Sequence, residues 1–338
     1  MASYRPLELS GVRTQPIGAR AHRVRIADFG TRARADASFA EFMNALPRIL
    51  KGNDIRAVVG ALADSVRQGK PVILGLGAHV IKCGLSPLII DLIERGAVSA
   101  VALNGGGAIH DFEIGLLGAT SEDVEANLRD GRYGMVADTG RCMQEALDET
   151  KETPEEEEPG FGLALGRWLH QTGAPHGRLS ILQAAFEAGV PATVHVAIGT
   201  DTIHMLPFVD VGRIGELSHR DFRLLAAVVA DLQGGGTYVN IGSAVVLPEV
   251  FLKCVTLCRN LGYPIGGFTT VDLDMIRQYR PSTNVVGRYA ALDAVGYSLT
   301  GHHEILLPLI AFALVEELEA GSGADRSPAA SYSESSVA

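Results

Sequence analysis

The sequence predicts a doubly wound α/β fold, a mostly parallel sheet with helices on both faces, and two observations carry that prediction. Short apolar runs ending in glycine or polar turns alternate with longer stretches of helical periodicity. Those runs are continuously apolar, as expected of parallel strands buried on both faces. Residues 54–70 have helical spacing, the run 71–77 (PVILGLG) reads as a buried strand ending in glycines, 85–95 as a helix and 98–103 as the next strand. Further strands are expected at 193–198, 238–241 and 268–271, and further helices at 221–232, 248–260 and 304–319.

Composition bounds the rest. A chain of 338 residues, 47% hydrophobic and with positive mean hydropathy, can bury a large core. No apolar stretch approaches the roughly 20 residues of a membrane span, and the first residues carry no apolar signal region, so a cytoplasmic protein is expected. A formal charge of −10 argues against nucleic acid and is compatible with a cationic substrate such as a polyamine. The four cysteines, Cys83, Cys142, Cys254 and Cys258, are expected as free thiols, the last two on one face of a helix.

Residues 1–20 read as an arm, 21–320 as a single α/β domain and 321–338, small and polar, as a disordered tail. The acidic run 151–159 (KETPEEEEP) is expected as a solvated surface loop. The helix at 304–319 is apolar nearly all round, so it should be buried in the domain or at a subunit contact, which makes an oligomer a natural expectation.

In an open parallel sheet, ligands gather beyond the carboxyl ends of the strands. Four strand ends carry small residues beside polar ones: Gly75 to His79, Asn104 to Asp111, Gly199 to Asp201 and Asn240 to Ser243. Gly75, Gly77, Asn104, Gly105, Gly106, Asp201, Gly242 and Ser243 are therefore the candidate dinucleotide-binding residues. Gly75 and Gly77 lack the third glycine of a G-x-G-x-x-G fingerprint. His110 is a candidate general base, Asp111 its orienter or an amine-holding acid, and each has a plainer reading as part of a helix start.

These turns, in order, resemble the deoxyhypusine synthase family. The run 103–111 (LNGGGAIHD) looks like that family's T-A-G-G strand end and the acidic pair after it, Thr200-Asp201 like its T-D turn, and 242–249 (GSAVVLPE) like its G-G-G-V-V-K-H-H segment. The run 269–274 (TTVDLD), through Arg280-Pro281 to Val286-Gly-Arg288, looks like its acidic loop and W-G-K, and 305–309 (ILLPL) like its last helix.

The resemblance implies a Rossmann-like homotetramer that binds NAD, oxidises spermidine and passes the butylamine moiety through a lysine imine to a protein acceptor. Asp272 and Asp274 then become candidate amine contacts. Arg288 stands where the family has its lysine, and a guanidinium cannot form the imine. An NAD-dependent enzyme on an amine or polyamine-type substrate is thus expected, with aminoalkyl transfer left open. Two alternatives are a non-catalytic NAD-responsive binding protein and a metal-dependent hydrolase built from His110, Asp111, Asp201, His204 and His302.

Overall fold

The computed structural model describes residues 4–154 and 158–322. It divides into two compact units, residues 1–53 and 54–338. The first holds helix α1 (Phe39–Ala45), opened by a capping box in which Ser38 and Glu41 satisfy each other's backbone. None of its described residues is buried, so it adds nothing to the core.

The second unit is a six-stranded sheet, β1 (Val72–Leu76), β2 (Ala100–Asn104), β3 (Ala192–His195), β4 (Thr237–Ile241), β5 (Thr269–Asp274) and β6 (Val295–Thr300). Every pairing is parallel and the order is β3-β2-β1-β4-β5-β6, so the doubly wound, Rossmann-like expectation holds. The helices follow in chain order: α2 (Lys51–Arg67), α3 (Ala78–Lys82), α4 (Ser86–Glu94), α5 (Gly105–Leu117) and α6 (Val124–Leu128). Then come α7 (Ala137–Thr150), α8 (Phe161–Thr172), α9 (Ile181–Glu187), α10 (Val211–Ala230), α11 (Val246–Asn260), α12 (Tyr279–Pro281) and α13 (His303–Ser322). A π-helical stretch, Ser282–Gly287, continues α12.

Alternate strand residues face opposite sides. Ile73, Ala100, Ala102 and Tyr238 pack against Leu225 and Val229 of α10 and Leu247, Phe251 and Cys254 of α11. Phe251 lies flat on Tyr238, ring centroids 3.8 Å apart and planes 4° from parallel. The other face, Leu74, Val239, Ile241 and Leu273, meets Leu62 of α2, Leu92 of α4 and Leu307 and Ile310 of α13. The apolar character of α13 is explained by this burial, although Ile305 and Phe312 remain exposed.

Several expectations are corrected. The predicted helix start at 221 is the middle of α10: buried Asp221 accepts from the Gly162 and Val194 N–H groups (3.0 and 2.7 Å), capping α8 across the fold. The acidic run does not lie wholly in solvent, because Glu158 is largely buried and pairs with Arg213 and Arg220. Cys254 and Cys258 do share a face, buried against α10, and all four cysteines are free. The expected tail lies outside the described residues from 323 onward, while α13 runs through Ser322.

Candidate active site

Beyond the carboxyl end of β2 the chain enters α5 directly. Asn104 caps the helix by accepting from the Gly107 N–H at 2.8 Å, so Gly105, Gly106 and Gly107 form its first turn and not a loop. The glycines serve different ends. A Cβ at Gly105 would sit 1.9 Å from Asp201 Oδ2, so the absence of a side chain lets the Asp201 carboxylate lie on the helix start. A Cβ at Gly106 would meet nothing nearer than Ala78 at 3.8 Å, leaving that backbone open to a ligand.

That open turn borders a cleft of about 850 Å³ between α5, α7 and the loops at 118–124 and 200–202. His110 and Glu113, three residues apart on α5, share its wall. Glu113 accepts from the Thr120 hydroxyl and from the Thr139 hydroxyl at 3.1 Å, and His110 Nδ1 lies 2.7 Å from Thr120 Oγ1. Thr120 has one hydroxyl hydrogen and directs it to Glu113, so its oxygen accepts from His110 Nδ1–H. That arrangement fixes the tautomer, leaving Nε2 with its lone pair as the uncommitted nitrogen. Burial, reinforced by the Lys82 ammonium, pushes the His110 pKa down to about 4, so the ring is neutral at neutral pH.

Five carboxylates line the cleft (Glu113, Glu122, Asp138, Glu145 and Asp201) against two cations, Lys82 and Arg141, a balance that favours a cationic occupant. Asp201 Oδ2 is buried and has no hydrogen-bond partner, and burial raises the Asp201 pKa while His204 opposes the rise.

The sequence candidates separate in space. His110, Gly106 and Asp201 come together in the cleft. Asp111 does not: one position along α5 it turns into the interior, fully buried. It accepts from Ser180 Oγ (2.6 Å), Ile181 N (2.7 Å) and Leu182 N (3.0 Å), holding the start of α9. The partner of His110 is instead the Thr120–Glu113 pair, which the i,i+3 spacing on a helix would have revealed had 105–107 been read as helical.

The crevice between β1 and β4, where the strand order reverses, is filled by the protein itself. A Cβ at Gly75 would meet the Tyr238 hydroxyl at 2.6 Å, and one at Gly77 the Gly242 carbonyl at 2.2 Å. Gly242, in the left-handed region at φ 66°, lies under the His303 ring of α13. Ser243 is buried and accepts from the Leu247 N–H at the start of α11. These four residues pack the sheet edge against its helices.

Asp272 and Asp274 end β5 away from the cleft walls. Asp272 accepts from Asn240 Nδ2 at 2.8 Å, and burial pushes its pKa up to about 6. Asp274 Oδ1 stands 3.8 Å from His303 Nε2. Arg288 is not on the cleft: it lines a separate groove between α11 and residues 282–292. Four residues after it, the Leu292 carbonyl accepts from Gly267 N, just ahead of the first residue of β5. Arg288 and His110 thus line different cavities. Among the described residues no three histidine, cysteine or acidic side chains gather to hold a metal, so the hydrolase set is not assembled.

The chain is thus a doubly wound α/β protein with a carboxyl-edge cleft carrying an oriented, neutral histidine. No protein family model matches it, and no curated protein matches its sequence. Among solved structures, a conserved protein of the LOR/SDH type from Methanococcus maripaludis S2 is 15% identical over 81% of this chain and 71% of its own, with a TM-score of 0.51. ArgZ, an arginine dihydrolase from cyanobacteria, is 14% identical over 80% of this chain, which spans only 34% of the ArgZ chain, with a TM-score of 0.48. A protein assigned as a deoxyhypusine synthase from Entamoeba histolytica is 12% identical, covering 82% of this chain and 93% of its own at a TM-score of 0.48. At these identities the likeness concerns the fold. No described helix is long and apolar enough to cross a membrane.

Proposed function

We propose that the chain is an NAD-dependent enzyme that oxidises an amine or polyamine-type substrate in the cleft between α5 and α7. The observation that carries this reading is the relay from His110 through Thr120 to Glu113, which presents an unprotonated Nε2 to a cavity rich in carboxylates.

The fit of a dinucleotide divides the candidate residues. Gly106 at the start of α5 offers open backbone N–H groups of the kind that receive a pyrophosphate, and the orphan Asp201 Oδ2 suits a hydroxyl donor such as a ribose. Gly75, Gly77, Gly242 and Ser243 do not fit, since protein atoms occupy the space beside them. The holding set is therefore Gly106 and Asp201, with Gly105 giving Asp201 room to lie on the helix start and Asn104 fixing the turn. When bound there, NAD supplies an acceptor for the hydride leaving the carbon that bears the amine.

The residues of the chain do the remaining work. The carboxylates draw in the cation and its tail, and because His110 is neutral it adds no repulsion. Nε2 receives the proton that the ammonium must lose before hydride can depart, and Glu113, through Thr120, stabilises the imidazolium so formed. An onward aminoalkyl transfer would use Lys82, the lysine on the cleft wall. A Lys82→Met variant should then keep amine oxidation and lose transfer.

The test follows NADH absorbance with spermidine, putrescine and agmatine in turn. NADH formation with at least one amine, lost in His110→Gln, is the expected result. NAD binding without NADH formation from any amine would instead favour a non-catalytic, NAD-responsive role.

A further inference from the structure

A second groove, of about 840 Å³, runs between α11 and residues 282–292 and shares no lining residue with the cleft. Its walls bring Arg259 and Arg288 together with the hydroxyls of Thr256 and Thr283, over an apolar floor that includes Leu252 and Leu292. No carboxylate lines it, in a chain whose formal charge is −10.

The arginine heads are held in place without being neutralised. Arg288 Nε donates to Asn284 Oδ1 at 2.8 Å, and Asn284 Nδ2 donates to Glu249 Oε1 at 2.9 Å, so the guanidinium is oriented through an amide. Asn284 is buried, and its carbonyl accepts from the Tyr289 hydroxyl at 2.6 Å, which pins the π-helical segment that presents Arg288. Arg259 Nη1 donates to the Ile265 carbonyl at 3.3 Å. Arg259 also borders a smaller hollow shared with Asp293, which leaves Arg288 as the principal cation of the groove.

We infer that this groove is a binding site for a small organic oxyanion, a phosphate or carboxylate carried on an apolar body. The planar Nη edge of Arg288 and the Arg259 head meet the oxygens, the Thr283 hydroxyl adds a donor, and the leucines receive the body, while the Thr256 hydroxyl is spent on the Leu252 carbonyl at 2.8 Å. The site does not depend on the amine-oxidising reading of the cleft.

Calorimetric titration with phenyl phosphate and with benzoate, at low salt, tests it. At least one probe is expected to bind the wild-type chain, and the tighter of the two shows which oxyanion the groove prefers. Binding should weaken roughly tenfold or more in Arg288→Gln and further in the Arg259→Gln, Arg288→Gln double variant. It should be unchanged in His110→Gln, which alters only the cleft. Both arginines are exposed, and the circular dichroism of each variant checks that the fold is kept. Failure of both probes to bind the wild type, or equal binding to the double variant, would overturn the assignment, and so would loss of binding in His110→Gln.

Discussion

One turn of α5 carries two acidic residues with opposite fates. Helical geometry turns successive side chains by about 100°, so Glu113 joins His110 on the cleft while Asp111 faces inward to hold the start of α9. Replacing Asp111 with Ala should cost about 3 kcal/mol in a urea unfolding experiment, because two buried N–H groups and a hydroxyl lose their acceptor together. Replacing Glu113 with Gln should leave stability nearly intact and slow amine oxidation by roughly tenfold or more, since the relay loses its charge. His110 yields a pH prediction with a definite sign. Its folded pKa lies near 4, below the ordinary 6.5, so between those values the unfolded chain holds a proton that the folded chain lacks. His110 therefore costs stability progressively as pH falls through that window. Relative to wild type, His110→Gln should gain stability between pH 6.5 and 4, and the imidazole should begin to titrate by NMR only near pH 4.

At the scale of elements, β1 to β5 and helices α2, α4, α11 and α13 were legible because their apolar runs and periods are continuous, whereas α7 and α8 were not read and α10 was read only in its second half. Strand β6 was not, since only Leu299 within it is buried and its other residues are polar, small or partly exposed. The glycines at 105–107 misled for a physical reason. Glycine disfavours helix by about 1 kcal/mol per residue, yet here an asparagine cap and the packing of Asp201 on Gly105 outweigh that propensity. Putting Ala at Gly105 tests the point. Its methyl would displace the Asp201 carboxylate, and NAD affinity should fall by tenfold or more, whereas Ala at Gly106 meets only ordinary contacts and should be milder. On the opposite side, Phe251 joins α11 to the sheet through Tyr238, and Phe251→Ala should destabilise the domain by about 3–5 kcal/mol.

At the scale of the whole molecule, the strand order reverses between β1 and β4, where an open doubly wound sheet ordinarily admits its ligand. Here His303 and the Gly77–Gly242 contact fill that crevice, and the cavity opens one strand over, beyond β2. Sequence reading put its candidates at the carboxyl edge of the sheet but could not show which glycines face the cleft and which pack against the protein. It also could not show that Arg288 lines a groove separate from the cleft, because position along the chain does not reveal which cavity a connection borders. The homotetramer implied by the family resemblance stays a proposal. We propose that the α5 turn and Asp201 hold NAD. Calorimetric titration of NAD into the wild-type chain and into Gly106→Val and Arg288→Gln tests it most directly. The account predicts binding to wild type and Arg288→Gln, and binding abolished by a valine that fills the open turn. Absence of wild-type binding, or undiminished binding to Gly106→Val, would contradict it.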